Sequence, residues 1–293
     1  MVISPLNYPG NKAKIVSQIL EIIPNATNTF VDVFCGSGIV SLNSDAKKIL
    51  CNDYSIHTIE LLKYFEENSV ENIIQDVENI ISKYKLTYSR IMPKGSYVEY
   101  NHEGLSNYNR IGFNELKKDY NKKPDVGKLF VLIIYGFNHY LRFNKNDEFN
   151  IPVGKVDFSK SLYEKTVDFV NLVHIKNLEI TQLDFRNDKL YNMGDKENCI
   201  YYFDPPYLIT KAPYNKNWDK KDELDLLNLL DKLNCQNKKF ALSNVLESNG
   251  KINELLAEWA SKYNTHIMKR QYRNANYRRK NTSLTKEVLI TNF

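Results

Sequence analysis

Thr29-Phe-Val-Asp-Val-Phe-Cys-Gly-Ser-Gly38 is the stretch whose reading decides the fold class. Its first six residues are aromatic or branched apart from one acid, which suits a buried strand, and the run then breaks into a turn with glycines at 36 and 38. A short helix after Gly38 completes a strand, Gly-rich turn, helix unit. Gly36 and Gly38 permit positive φ and close approach of a ligand to bare backbone, and the helix N-terminus behind them favours an anionic group. Such turns also close many strand–helix units for packing reasons alone, so the next strand matters. Lys48-Ile-Leu-Cys-Asn-Asp53 is another apolar run, and it ends in an acid 17 residues beyond Gly36. Nucleoside-binding folds place a carboxylate for ribose hydroxyls near that spacing, so Asp53 is expected at a ribose. The missing third glycine and the lack of a phosphate-binding lysine motif argue against NAD and ATP as the ligand.

Outward from this unit, strands and helices alternate. Further strands are expected over Leu178–Asp184, Ile200–Asp204, Phe240–Asn244 and Glu287–Asn292. Helical spacing of apolar residues predicts helices from Lys12 to Ile23, across 162–177, from Asp222 to Leu233 and from Ile252 to Tyr263. The segment from Ile56 to Lys85 predicts two helices parted near Asn68-Ser69, serving packing. Residues 86–127 are crowded with Tyr, Asn, Lys and Gly and are expected to form loops and short helices. Lys128 to Tyr135 is apolar again. It leads into a loop or hairpin that displays Asn138, Tyr140 and Arg142. This order of elements indicates an α/β protein.

Ile200-Tyr-Tyr-Phe-Asp-Pro-Pro-Tyr207 is where chemistry is expected. Pro205 has no N–H for a sheet ladder, so the strand stops at Asp204, and open α/β sheets bind ligands at that edge. The paired Pro205 and Pro206 stiffen the backbone and aim the Asp204 carboxylate, the Pro205 carbonyl and the Tyr207 ring at one small planar molecule. Asp184 also ends a strand and is followed by Phe185, an acceptor and a wall suited to a cofactor's base. Leu208 to Trp218 is a polar loop long enough to act as a lid. Asparagine and arginine bond bidentately with adenine and guanine edges, so Asn138 and Arg142 are candidates for reading bases, although both residue types abound in ordinary loops. Arg270, Arg273, Arg278 and Arg279, with Lys280, are interleaved with Tyr272 and Tyr277. That mixture suits phosphate contacts and stacking, or else a solvated basic loop. His139 has no acid or second histidine nearby and reads as a surface or packed residue.

Composition bounds the rest. With 42% hydrophobic residues over 293 positions the chain can bury a sizeable core, and a net charge of +5 does not by itself demand a polyanionic partner. No apolar stretch approaches the roughly 18–20 residues of a membrane span, and the N-terminus lacks the layout of a signal peptide, so a cytoplasmic protein with no membrane partner is expected. Cys35, Cys51, Cys199 and Cys235 show no zinc-site or redox-pair spacing. They are read as reduced and structural, and no metal is expected.

Four separated stretches resemble, in chain order, the Dam-like DNA adenine methyltransferases. Asn7-Tyr-Pro-Gly-Asn-Lys12 is similar to their N-terminal cofactor motif, Phe30 to Gly38 to their Gly-rich motif, and Asp204-Pro-Pro-Tyr207 to their catalytic tetrapeptide. Arg142-Phe-Asn144 through Glu148 to Gly154 is similar to an element near their DNA-recognition region. Tyr8 and Pro9-Gly10-Asn11 stand where the family usually has tryptophan and paired glycines, and Val33 where it often has proline. The resemblance implies a Rossmann-like seven-stranded catalytic core from residues 1–58 and 159–293, with a mostly helical target-recognition domain inserted at 59–158. It implies S-adenosylmethionine as cofactor, leaving as S-adenosylhomocysteine, held by Tyr8, Lys12, Asp32 and Phe34 beside Gly36, Gly38, Asp53, Asp184 and Phe185. It implies double-stranded DNA as substrate, with Asn144 among the contacts, a flipped adenine at Asp204, a monomeric enzyme, and either a restriction endonuclease acting on the same site as a partner or a phage or solitary methylase that has none. Two rivals use parts of the same features: an RNA or protein methyltransferase, and a non-catalytic DNA-binding module.

Overall fold

A computed structural model describes the chain apart from residues 7–11, 25–26, 93–95, 97–103, 194–197, 211–217 and 270–284. In chain order its elements are α1 (Val16–Ile22), β1 (Thr29–Asp32), α2 (Ile39–Leu42), β2 (Lys48–Asn52), α3 (Ile56–Glu67), α4 (Val70–Lys83), α5 (Ser106–Lys122), α6 (Val126–Tyr135), α7 (Lys160–Ile175), β3 (Leu178–Thr181), β4 (Cys199–Phe203), α8 (Lys220–Cys235), β5 (Lys239–Ser248), β6 (Lys251–Ile252), α9 (Glu254–Ala260), β7 (Asn264–Ile267) and β8 (Thr285–Thr291). Two compact units emerge, one of residues 12–56 and 176–293, the other of residues 1–11 and 57–175.

The first unit is a sheet covered by helices. Its path runs β3-β2-β1-β4-β5-β8-β7, with the two-residue β6 paired to β5. β3, β2, β1, β4 and β5 are mutually parallel, whereas β8 runs antiparallel to both β5 and β7. A parallel strand buried on both faces reads as a continuous apolar run, which is why β1 and β4 are legible in the sequence: every residue of each is buried. Val31, Val33, Tyr201 and Phe203 join one core cluster with Leu226, Leu227, Leu230 and Leu233 of α8 and with Leu256 and Trp259 of α9. Those four leucines recur at helical spacing and are at most 4% exposed, so each contributes roughly 1.5–3 kcal/mol by burial. Truncating Leu230 to alanine would cost about 2–5 kcal/mol. A capping box starts α8, with Asp219 accepting from the backbone of Lys221 and Asp222 and the Asp222 side chain bonding back to Asp219.

The alternation of side chains sends Asp32 to the other face, where its Oδ2 accepts from Ser41 of α2 at 2.7 Å. β1 pairs with β2 on one side and β4 on the other, so the strand order reverses there and the ends of β1 and β4 form the switch point of the sheet. Two strands lack the expected apolar pattern. β7 is an edge strand of Asn-Thr-His-Ile with little burial, and β6 is too short to carry a period.

The second unit is helical. α6 is apolar all round and seven of its residues from Leu129 to Tyr135 are at most 2% exposed, as befits a central helix contacted by α4 and α5. Phe65 of α3 meets Phe130 of α6 edge-on at 5.1 Å and Phe169 of α7 at 5.5 Å. α3 and α4 part at Ser69, whose side chain caps α4 by accepting from Asn72 N. The loops and short helices expected over 86–127 are corrected by α5, a helix of 17 residues. Its buried face includes Asn109 and Gly112 beside Phe113, Leu116 and Tyr120, so the apolar period is diluted. Gly112 is required there by packing, since a Cβ would lie 1.9 Å from the Tyr84 carbonyl oxygen. α7 belongs to this unit, although it follows residue 158, the expected end of the insertion.

Candidate active site

The turn after β1 takes the form its glycines permit, with φ of 51° at Gly36 and 67° at Gly38. Asp53, just beyond β2, closes it: one carboxylate oxygen accepts the Gly36 N–H at 2.9 Å and the other accepts the Ser55 N–H at 2.9 Å. Burial pushes the Asp53 carboxyl up, and these backbone bonds pull against the rise. Asp32 is 1% exposed, and its Oδ1 has no hydrogen-bond partner among the described residues. Burial, with the charges of Asp204 and Asp53, pushes its carboxyl to about 7 against the pull of Ser41. A buried polar atom without a protein partner is uncommon and points to a group outside the described residues that would satisfy it.

Asn52 ties three strand ends together. Its amide donates to the carbonyls of Val33 at 2.9 Å and Leu183 at 3.0 Å, and its oxygen accepts from Leu183 N and Thr181 Oγ1 at 2.9 Å. Phe185 is thereby placed near the end of β1: its ring lies 5.5 Å from Phe34, and Trp218 stands 5.8 Å from Phe34 and 5.5 Å from Phe185. The indole N–H of Trp218 is held at 2.8 Å by Glu223, a buried acid that also accepts from Asn253 and Asn244. Asp184 faces solvent at 45% and accepts from the Arg186 N–H at 2.8 Å, while the Arg186 guanidinium also pairs with Asp222 and Asp225.

At the end of β4, Asp204 is one-fifth exposed and meets Lys12, a residue 192 positions away. The Lys12 ammonium donates to Oδ1 at 2.6 Å and to Oδ2 at 2.5 Å, and the Tyr207 hydroxyl donates to Oδ1 at 2.9 Å. Burial raises the Asp204 carboxyl above its ordinary value, against the pull of Lys12 and Tyr207. Glu287 of β8, 2% exposed, lies 3.9 Å from the same ammonium and 3.5 Å from the same hydroxyl. Lys12 Nζ also stands 5.1 Å over the Tyr207 ring. Beneath them the Tyr202 hydroxyl is bonded to Ser243 at 2.7 Å. Pro205 is buried and Pro206 half-buried.

Of the residues expected from the sequence, Lys12, Asp32, Phe34, Gly36, Gly38, Asp53, Asp184, Phe185, Asp204, Pro205, Pro206 and Tyr207 all fall at or beside the carboxyl ends of β1 to β4. Lys12, expected at the cofactor, pairs with the carboxylate of Asp204. Tyr8, Arg270, Arg273, Arg278 and Arg279 lie outside the described residues. Trp218 and Glu287 were not anticipated. Trp218 closes a polar loop and shows no period, whereas an acid within Thr285–Thr291, a run with five buried residues, was a signal open to reading.

Within the helical unit, residues 136–154 form a hairpin with bridges between Gly136 and Val153 and between Phe143 and Phe149. Arg142 is exposed and donates from Nε to Asn150 Oδ1 at 2.8 Å and from its terminal nitrogen to the Asn150 carbonyl at 3.1 Å. Asn144 organises the tip, accepting from Asn146 N and Glu148 N and donating to Glu148. His57 stacks on Phe143 at 3.6 Å and bonds Asp147 at 2.8 Å. Asn138 is exposed with φ of 54°, and Tyr140 is half-buried. His139 contacts the Ile133 carbonyl at 3.2 Å. Among the described residues no group of three metal-ligating side chains occurs, none of the four cysteines forms a disulfide, and no helix is long and apolar enough to cross a membrane.

Comparison with known proteins adds to this geometry. The chain is 38% identical over 300 residues to the type II methyltransferase M.FokI of Planomicrobium okeanokoites, and 34% identical over 300 residues to the modification methylase StsI of Streptococcus sanguinis. Each alignment covers 99% of this chain and 43% of the relative, so the chain spans less than half the length of these two proteins. It is also 24% identical over 207 residues to the DNA adenine methylase of Haemophilus influenzae, covering 69% of this chain and 63% of that one. A family model for D12 class N6 adenine-specific DNA methyltransferases matches residues 8–276, and with the acid-ended strands and the Asp204-Pro-Pro-Tyr207 corner at the switch point, this places the chain in that family.

Proposed function

We propose that the chain is a site-specific DNA methyltransferase that transfers a methyl group from S-adenosylmethionine to the exocyclic amine of an adenine flipped out of duplex DNA. The observation that carries the reading is the pairing of β1 with β4, which sets Asp32 opposite Tyr202 and so brings the Gly36–Gly38 turn and Asp204 to one edge of the sheet.

The residues present fit the cofactor. Asp32 Oδ1, buried and without a partner among the described residues, offers an acceptor for the methionine ammonium. Asp53 would take the ribose hydroxyls, and Phe34, Phe185 and Trp218 form an aromatic wall for the adenine ring. Gly36 and Gly38 leave room for the ligand beside the backbone. When bound, S-adenosylmethionine supplies an electrophilic methyl group.

The exocyclic amine of adenine is a poor nucleophile because its lone pair is delocalised into the ring, and no ordinary side chain removes its proton first. Asp204 and the Pro205 carbonyl accept its two hydrogens and turn the nitrogen toward tetrahedral geometry. The Asp204 carboxylate then stabilises the positive charge that develops on nitrogen. The Tyr207 ring stacks on the extruded base and offsets part of the flipping cost, roughly a few kcal/mol. The helical unit reads sequence, with Arg142, Asn144, Asn138 and Tyr140 of its hairpin toward the bases, while the segment from Arg270 to Arg279 contacts phosphates. The names of two relatives, a type II methyltransferase and a modification methylase, support a partner endonuclease acting on the same sequence.

The test is methylation of unmethylated plasmid DNA, followed by mapping of modified adenines. N6-methyladenine confined to one short sequence is the expected result. Methyl uptake by RNA or protein but not by duplex DNA refutes the reading.

A further inference from the structure

Lys12 stands where the proposed reaction needs an open acceptor. Its ammonium spans both Asp204 oxygens at 2.6 and 2.5 Å, and the Tyr207 hydroxyl shares Oδ1. An adenine amine that donates to Asp204 would place a nitrogen gaining positive charge beside that ammonium, and like charges at such range repel. The Asp204–Lys12 pair is also neutral as a whole, so it lacks the net negative charge that stabilises a developing cation.

Glu287 answers both points. It sits on β8, followed by the wholly buried Val288, Leu289 and Ile290, in a run where an acid is costly unless a cation is at hand. Its Oε1 is 3.9 Å from the Lys12 ammonium and 3.5 Å from the Tyr207 hydroxyl, so both side-chain donors on Asp204 have a second acceptor close by. A displacement of about 1 Å brings Lys12 from its present distance to that of a charge-assisted hydrogen bond. Asp204, Glu287 and Lys12 together carry one net negative charge. Burial is the main cause that pushes the Asp204 carboxyl up, Lys12 pulls it down, and the charge of Glu287 adds a smaller rise.

We propose that Glu287 is a positioning residue that takes over the Lys12 ammonium when the adenine amine engages Asp204, so that Lys12 exchanges between two carboxylates during each turnover. This rests on the methyltransferase reading above. In the resting protein the partly buried Asp204 carboxylate keeps the buried Lys12 ammonium paired, and on base entry Glu287 lets it leave without stranding its charge.

Single-turnover transfer of tritiated methyl groups to unmethylated plasmid DNA, by the 293-residue chain at saturating S-adenosylmethionine, tests the exchange. Glu287→Gln keeps shape and hydrogen bonding but removes the charge. It is expected to slow transfer at least about tenfold while cofactor affinity, measured by calorimetry, stays at the parent value. In a Lys12→Met background, where no ammonium has to move, the same substitution is expected to cost a clearly smaller factor than in the parent, leaving only the loss of negative charge near the reacting nitrogen. Glu287→Asp, which keeps the charge, restores most of the parent rate. An undiminished rate for Glu287→Gln overturns the proposal, as does an equal loss in both Lys12 backgrounds, the signature of a merely structural acid. A Lys12→Met chain with no measurable transfer overturns it too, because a lysine that only has to leave is dispensable for the chemistry. If Glu287→Gln shows no cooperative melt, Glu287→Ala, which also removes the charge, carries the same comparison in the two backgrounds. A parent chain that methylates no adenine refutes the proposed function itself, a failure that the parent control separates from failure of the exchange.

Discussion

Asp53 and Asp204 are acids at the ends of β2 and β4 in the same sheet, yet they are held in opposite ways. Asp53 takes its donors from backbone N–H groups of Gly36 and Ser55, both fixed by the turns they belong to. Asp204 takes its donors from side chains, an ammonium 192 residues away in sequence and a hydroxyl three residues on. A cradle made of backbone is preformed and stays in place when a ligand arrives. One made of an ammonium on a flexible stem can exchange. Under the proposed function, the cofactor side of the site would be rigid and the target side able to change partners, which would suit a cofactor that binds by itself and a base drawn out of a helix.

Asp204→Ala should break the comparison most sharply. Methyl transfer to DNA is expected to fall on the order of 10³-fold, with calorimetric affinity for S-adenosylmethionine unchanged, because in the proposed reaction the lost acceptor acts on the reacting nitrogen. Turnover at the parent rate would remove Asp204 from the chemistry. Asp53→Ala should do the reverse, weakening cofactor binding about 10–100-fold while the rate at saturating cofactor holds, the range expected for hydrogen bonds to a charged group. A loss of rate without a loss of affinity would show that the rigid and exchangeable halves had been assigned the wrong way round.

The smallest effect concerns Asp32, whose carboxyl lies at about 7 against an ordinary 3.8. Between those values the folded chain keeps a proton that the unfolded chain has released. The contribution of Asp32 to the stability of the cofactor-free protein is therefore fully present below about pH 4, falls as pH rises toward 7, and is lost above. Asp53 and Asp204 are also raised and add slopes of the same sign, so the difference between parent and Asp32→Asn is the quantity to measure. Thermal melts from pH 4 to 8 should show the parent losing a few °C more than the variant. Identical slopes would place the Asp32 carboxyl at its ordinary value.

Legibility followed burial. β1 and β4 announced themselves because both faces are covered and every residue is apolar or small enough to pack, apart from Asp32. α4 was legible from its apolar period and the serine that caps it. β7, an exposed edge strand, had no pattern to read, and α5 hid because Asn109 is buried through its bonds to Thr87 and Gly112 through close approach to a carbonyl. In the site, the acids at strand ends were visible one by one, whereas their partners were not. Nothing local to Lys12 distinguishes Asp204 from Asp53 as its acceptor, and nothing local to Glu287 marks it as a neighbour of either.

The amino-acid order alone determined the alternation of strands and helices, the Gly36–Gly38 turn, and the acids that terminate β2 and β4, because each depends on residues within a few positions. Which charge meets which was decided only in the folded sheet. The pairing of β1 with β4 joins segments separated by more than half of the chain, and with the pairing of β5 and β8 it brings Lys12, Asp204, Tyr207 and Glu287 together at one edge. The order of strands is a property of the whole packing, and from it comes the difference between an acid held by backbone and one held by distant side chains.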